Sequence, residues 1–243
     1  MNKTKPLLQY EVKSAQNSGV PVIVVAGGSS TRMGQNKLLI KVGGIPVLAR
    51  TLKAFQQCDA VSNIILVAAK DTVLEYQKLC DNYMISKVTD IVEGGSNRQE
   101  SVLNGIKQLK SDDELVLIHD AARPMVNQEI ITRVIDGLNE FNAVIPVVKV
   151  KDTIKQIDSN GVVVKTVNRE NLVQVQTPQG VKVKEYLCAI EGKDLNNFTD
   201  DASIFEAVDE MVLTVEGDYK NIKITTPEDV LVAEAFLKED TAE

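Results

Sequence analysis

Val22-Ile23-Val24-Val25-Ala26-Gly27-Gly28-Ser29-Ser30-Thr31-Arg32-Met33-Gly34-Gln35-Asn36-Lys37 is the stretch that decides the fold. Its first five residues are aliphatic, mostly β-branched, with no polar alternation, as expected of a strand covered on both faces. A loop of small residues follows at once. In an open α/β sheet, phosphates bind at the loop after the first strand, where backbone N–H groups can approach closely. The glycines at 27, 28 and 34 fit no GxGxxG register, and no GxxxxGK[ST] match exists. What the loop offers instead is two cations, Arg32 and Lys37. A Gly-rich turn with solvated bases would look the same locally, so the rest of the chain has to decide.

Outward from this stretch, short β-branched runs alternate with helix-period segments, the pattern of βαβ units around a parallel sheet. Strands are predicted at Pro21–Ala26, Asn63–Ala68, Lys87–Glu93, Leu115–His119 and Ala143–Val150. Helices are predicted at Pro46–Gln57 with Pro at N1, Asp71–Asn82 with an Asp cap, Arg98–Lys110, and Asn127–Glu140 with an Asn cap. The right-handed crossover rule then favours a doubly wound, three-layer α/β/α sandwich of Rossmann-like type. Further on come helices around Val183–Ile190 and Asp200–Val208 and strands at Met211–Glu216 and Asn221–Ile224. The last helix opens on Thr226-Pro227-Glu228-Asp229, a Thr cap, a first-turn Pro and two acids at the positive end of the helix dipole.

Lys151–Val175 breaks the rhythm. Two extended segments, Lys151–Ile157 and Val162–Val167, flank Ser159-Asn160-Gly161, and Asn-Gly is a strong hairpin signal. A lone two-stranded ribbon is marginal, so it needs something to pack on. A second subunit and the chain's own sheet edge are equally good covers at this point.

At 243 residues the chain is within what one core can organise, so residues 21–243 are expected to form one domain with the ribbon as an arm. Residues 1–20 are expected to be a mobile extension. Hydrophobic residues make up 44% and charged residues 25%, which excludes disordered and collagen-like chains. With 27 basic against 34 acidic residues the net charge is −7, so a general nucleic-acid binder is not expected. Apolar runs fall short of the roughly 18–20 residues of a membrane span, and the N-terminus has no apolar signal-peptide core. Cys58, Cys80 and Cys188 are scattered without a CxxC pair, as in a reduced cytoplasmic protein.

Three further clusters follow predicted strands and so fall on the same rim as the first loop. They are Glu93-Gly94-Gly95-Ser96-Asn97-Arg98-Gln99-Glu100-Ser101, then His119-Asp120-Ala121-Ala122-Arg123-Pro124, then Thr214–Lys223 with Lys220 and Lys223. An Asp–Arg pair at a loop is more often a brace than a site. Four such loops on one rim are hard to explain as braces alone.

The order AGGSSTRMG…NK, GG…RQESV, HDAARP, a hairpin arm beginning D-T and ending N-R, then TPQ, TDDAS and NIKITTPED resembles the 2-C-methyl-D-erythritol 4-phosphate cytidylyltransferase family. The resemblance runs from about Val22 to Leu237. The sister family, ribitol-5-phosphate cytidylyltransferase, is similar but typically has valine in a DAVRP motif.

The resemblance implies a reaction of CTP with a small alcohol phosphate that releases pyrophosphate. Arg32, Lys37 and Lys223 would be the catalytic cations. Ala26 and Gly27 would line the base and ribose, Gly28 would also bind the nucleotide, and backbone groups near Gly94 and Gly95, with Ser101 close by, would recognise cytosine. Arg123, Thr177 and Thr199 would face the alcohol phosphate, joined by Thr153 and Arg169 from the arm of a homodimer partner. Mg²⁺, or another divalent cation, is implied as the counter-ion of the triphosphate, with Asp120 as its protein carboxylate. His119 is read as structural. The alternatives are another polyol-phosphate cytidylyltransferase, a silent CTP-binding module and, more remotely, a nicotinamide-dependent Rossmann enzyme.

Overall fold

A computed structural model describes residues 19–27 and 36–240. Gly28, Arg32 and residues 1–18 of the expected extension lie outside the described residues, and Val20, its last residue, belongs instead to the first strand and is buried.

The first strand, β1 (Val20–Ala26), sits in the middle of an eight-stranded sheet, with β4 (Val61–Ala68) and β6 (Leu115–Asp120) on its two edges, both parallel to it. β5 (Val88–Glu93) pairs in parallel with β4. Burial follows the unbroken apolar pattern. Val22 and Val24 point to one face, where they join Leu48, Leu52 and Phe55 of α1 (Val47–Gln56), Tyr76 and Leu79 of α2 (Val73–Asn82) and Ile131 and Val134 of α4 (Gln128–Gly137). Ile23 points to the other, with Val102 and Ile106 of α3 (Arg98–Ile106), Tyr186 of α5 (Val183–Ile190) and Phe205 of α6 (Ala202–Glu206). These two apolar faces make the three layers.

The sheet is mixed rather than wholly parallel. β7 (Ala143–Lys149) carries β12 (Val212–Glu216) along one edge, in parallel. Its other edge takes β11 (Gln179–Lys182) and then β10 (Val173–Val175), both antiparallel. β11 also pairs antiparallel with β6, so it lies between β6 and β7. Neither short strand was expected, because three or four residues interrupted by Gln176-Thr177-Pro178 give no periodicity to read.

Other boundaries moved for local reasons. Pro46 ends β3 (Ile45–Pro46) and is the cap position of α1 rather than its first turn. β3 forms a tight hairpin with β2 (Lys41–Val42) across Gly43 and Gly44, both at positive φ, where glycine carries no steric penalty. Asp71 lies in a 3₁₀ turn ahead of α2. Asn221–Ile224 is not a strand: Ile224 is buried in the core and its N–H bonds to the Ala122 carbonyl at 2.8 Å. That segment spends its backbone on holding a loop, leaving no ladder.

The Asn127 cap forms as expected, accepting from the Ile130 N–H. At the head of α7 (Pro227–Asp240), Asp229 reaches back to the N–H groups of Thr225 and Thr226. The arm is a hairpin of β8 (Ile154–Ile157) and β9 (Val163–Val167), turning at Gly161 with φ +81°. It forms its own two-stranded sheet, and Ile157, Val162, Val163 and Val164 are each more than half exposed.

α3 lies close on β1. A Cβ added at Gly105 would come within 2.7 Å of Ile23 Cγ2. Gly105→Ala gains about 1 kcal/mol of helix propensity but overpacks a close-packed interface, which typically costs 1–3 kcal/mol. The expected net effect is a lower urea midpoint; a higher one would mean that α3 shifts freely on the sheet.

Candidate active site

Because β1, β4, β5 and β6 are parallel, their C-terminal ends open onto one rim. The backbone ties these ends together: Gly94 N–H bonds to the Ala68 carbonyl at 2.8 Å and Ala121 N–H to the Val25 carbonyl at 3.1 Å. At the first corner Ser101, the fourth residue of α3, folds the glycine loop onto the helix. Its hydroxyl accepts from Gly95 N–H at 3.0 Å and donates to the Asn97 carbonyl at 2.9 Å. A Cβ at Gly94 would lie 3.0 Å from the Ser101 oxygen and one at Gly27 3.9 Å from it. Gly27, Gly94, Gly95 and Ser101 are therefore brought together at the ends of β1 and β5, where Gly94 and Gly95 pack too closely on Ser101 and Glu100 for a side chain. Ala26, the last residue of β1, is buried beside them.

The second corner is electrostatic. Asp120 ends β6 and is only 9% exposed, yet three cations surround it. Lys223 Nζ is 3.0 Å and Arg123 Nε 3.4 Å from its Oδ2, and Arg98 Nε is 3.7 Å from its Oδ1. Burial pulls the Asp120 carboxyl upward, but Lys223, Arg98 and Arg123 outweigh it and hold it well below the usual carboxylate range. Arg98 also binds the fully buried Asp201 at 2.6 Å, and Tyr186 donates to the other Asp201 oxygen at 3.2 Å. Burial works against the Arg98 charge, and Asp201 outweighs it, so the guanidinium stays protonated. Three cations face two carboxylates, leaving one positive charge in excess.

Arg123 is steered by its backbone neighbours as well, donating to the carbonyls of Asn221 at 2.9 Å and Val175 at 3.4 Å. Lys223 reaches Asp120 because its loop is clamped from behind. The Gln176 amide donates to the Asp218 carbonyl at 2.7 Å and accepts from the Asp218 N–H at 3.2 Å. A Cβ at Gly217 would lie 2.4 Å from the Gln176 Oε1, so the clamp needs glycine there. Lys37 sits half-buried where the first loop re-enters the described structure, beside Asn36, which donates to the Tyr76 hydroxyl at 3.0 Å.

Thr177 is buried and its hydroxyl is already engaged, accepting from Asp120 N–H at 3.1 Å and meeting His119 Nδ1 at 3.0 Å. Thr199 is exposed on the loop that leads to Asp201. Thr153 and Arg169 are exposed on the arm, outside the Asp120 cluster, and the Arg169 guanidinium donates to the Lys151 carbonyl. Sequence reading missed the Arg98–Asp201 pair. Both residues stood in quoted motifs, RQESV and TDDAS, but nothing in a sequence joins positions 103 residues apart.

His119 is fully buried, edge-on to Phe55 at 4.8 Å. Its Nε2 faces the Arg123 carbonyl at 3.2 Å, an oxygen that can only accept, so Nε2 carries the proton and Nδ1 takes the Thr177 hydroxyl. Burial pushes the imidazole down from 6.5 to about 3. A histidine neutral in the fold but protonated when unfolded removes stability as pH falls below 6.5, by at most about 1.4 kcal/mol per pH unit until its folded value is reached. The unfolding free energy should therefore fall between pH 7 and pH 5. Over the same range the NMR signals of this single imidazole should stay those of the neutral ring. An imidazolium in the folded protein at pH 5 would overturn this assignment.

Residues 20–239 match the family model IspD: 2-C-methyl-D-erythritol 4-phosphate cytidylyltransferase. A curated protein of that name from Bacillus cereus is 42% identical over 220 residues, covering 89% of this chain and 96% of its own. One from Alkaliphilus oremlandii is 44% identical over 227 residues, covering 91% and 96%. Among solved structures, 4-diphosphocytidyl-2C-methyl-D-erythritol synthase from Anaerococcus prevotii superimposes with a TM-score of 0.78 at 35% identity, over 90% of this chain and 98% of its own. The cytidylyltransferase from Thermus thermophilus gives 0.73 at 29%, over 91% and 100%. By this match over nearly its whole length, the chain belongs to the 2-C-methyl-D-erythritol 4-phosphate cytidylyltransferase family.

Proposed function

We propose that this cytidylyltransferase joins CTP to 2-C-methyl-D-erythritol 4-phosphate by in-line displacement at the α-phosphorus, and that its cations carry the catalysis. An oxygen of the alcohol phosphate forms the new bond to the α-phosphorus. The bond to the bridging oxygen breaks, and pyrophosphate leaves with the electron pair. The observation that carries this reading is the Asp120 corner, where Lys223, Arg98 and Arg123 converge with net positive charge on the rim that also carries the glycine loops.

No general base is needed. A phosphate monoester has its second pKa near about 6, so the nucleophile is already largely a dianion at neutral pH. The chain's one histidine is buried and bonded on both ring nitrogens, which fits a reaction without an imidazole base. Charge on the α-phosphate and the leaving pyrophosphate grows toward the transition state, and fixed cations stabilise it there more than in the ground state. We assign this to Arg32 and Lys37 on the first loop and to Lys223, with Arg123 and Thr199 toward the alcohol phosphate. Thr177 acts there through Asp120 and His119.

Among the described residues no group of three His, Cys, Asp or Glu side chains could hold a metal ion. The donor set therefore suits Mg²⁺ carried mainly by the triphosphate, which needs few protein ligands. Asp120 is ionised, and its Oδ1, with only Arg98 Nε at 3.7 Å, is its less engaged oxygen. When bound, the ion would neutralise phosphate charge.

The arm supports a homodimer. It exposes a run of apolar residues, Val162–Val164, on a ribbon that has no core of its own, and a two-fold partner would cover them. Arg169 and Thr153 would then serve the neighbouring site. Three free thiols, two of them buried, support a reducing cytoplasmic setting.

Pyrophosphate release should be much faster with CTP and methylerythritol phosphate than with ATP, GTP or UTP; a preference for ribitol 5-phosphate would overturn the substrate assignment. Arg32→Ala, Lys37→Ala and Lys223→Ala should each lower kcat by about 10²-fold or more with the fold intact. Near-normal turnover in any of them removes that residue from the set. Arg169→Ala should raise KM for the alcohol phosphate and leave CTP nearly unaffected. Mixed with Lys37→Ala subunits it should regain one complete site per heterodimer, since both defects then fall in the same site. A monomer in solution, or no rescue after verified exchange, rules the shared site out.

A further inference from the structure

The arm leaves the sheet after Lys149, and its own ribbon makes no ladder with the main sheet. Its root at Lys149 is held on one edge by Val173 of β10 and on the other by Tyr219, in the loop that goes on to Lys223. β12 runs beside β7 as far as Glu216, opposite Val147, and Gly217 N–H then bonds to the Val147 carbonyl at 2.9 Å. Two residues along β7, a carbonyl on the same edge has no β12 partner left. The Tyr219 hydroxyl supplies the rung, donating to the Lys149 carbonyl at 2.8 Å. The ring of the same tyrosine lies under the Lys151 ammonium, 3.4 Å from its centroid, a close cation–π contact. The carbonyl of Lys151 in turn accepts from the guanidinium of Arg169 on the returning leg. Tyr219 is itself held, because Asp218 before it is clamped by Gln176 on both N–H and carbonyl.

We propose that Tyr219 is a positioning residue for the arm: it fixes the arm's root, and through Lys149 and Lys151 the placement of Arg169, so that its effect on turnover falls in the partner subunit's site. This rests on the reading that the arm serves that neighbouring site. The β10–β7 ladder ends with Val173 opposite Lys149, so beyond that pair Tyr219 is what orients residues 150–151, and losing one backbone hydrogen bond and one cation–π contact lowers the fraction of arms in the working position. Apparent affinity falls by the same factor.

The test uses the full chain. Tyr219→Ala should raise KM for the alcohol phosphate about threefold to tenfold, with KM for CTP within about twofold of the starting protein. Tyr219→Phe keeps the ring and loses only the hydroxyl, so it should give a smaller rise; Tyr219 is 42% exposed, and neither change empties the core. Amide exchange over residues 151–170 should quicken in the alanine variant. In dimers mixed with Lys37→Ala subunits, Tyr219→Ala should regain the low KM in one site per heterodimer, with Arg169→Ala rescued in parallel as the control. Rescue of Arg169→Ala without rescue of Tyr219→Ala overturns the proposal, because the tyrosine then acts on its own subunit through the Lys223 loop. An unchanged KM in Tyr219→Ala overturns it too. Failure of both rescues overturns the shared-site reading, and this proposal with it.

Discussion

A carboxylate placed in a protein interior must be paired or it protonates. Asp120 is paired three times over, and the architecture of the site follows from where those three cations come from. Arg98 begins α3, Arg123 lies in the turn after β6, and Lys223 belongs to the loop beyond β12. Arg123 comes from the same turn, but Arg98 and Lys223 are delivered from distant parts of the chain, so the single charge at the end of β6 makes three chain segments depend on one another. Arg98 extends the linkage to Asp201 at the head of α6. Removing one partner from such a buried pair typically costs about 3–5 kcal/mol, because the other charge is then stranded. The pair thus sets loop placement more firmly than any surface contact could.

The same arrangement suits the chemistry. A site that moves a phosphate-bearing group between two anions has to supply positive charge without collapsing around it when empty. Here Asp120 holds the excess positive charge in place, and in the proposed mechanism phosphate oxygens would compete with it for the cations. Lys223, the most exposed of the three, would meet least resistance in turning from the carboxylate to a ligand.

The layers were legible in the sequence because burial on both faces writes itself into unbroken apolar runs such as Val22–Ala26. Caps and turns were legible where one residue type has one job, as at Asn127 and Gly161. The glycine loops and the Asp120–Arg123 pair were also legible, since strand ends locate them, whereas Lys223 was named by family resemblance alone and its contact with Asp120 was not foreseen. What could not be read was whatever depends on non-local partners. β10 and β11 are too short to carry a period, and Asn221–Ile224 has strand-like residues whose backbone is used elsewhere. The Arg98–Asp201 pair and the two-sided grip of Gln176 on Asp218 join segments far apart in sequence, where only folding makes them neighbours.

β11 lies between β6 and β7, yet it emerges after both, on the far side of the arm. The β7 and β6 edges therefore cannot close on each other while the chain is being made; each must wait for a segment not yet synthesised. The parallel set of β1, β4, β5 and β6 can assemble as soon as residue 120 is available, but its β6 edge stays unpaired until β11 inserts. Assembly of this sheet is thus a matter of sequence order as well as of energy. The ribbon carrying Arg169 has to be threaded outward before the sheet that supports the site is complete, and an open strand edge on a nascent chain is a template for unwanted pairing.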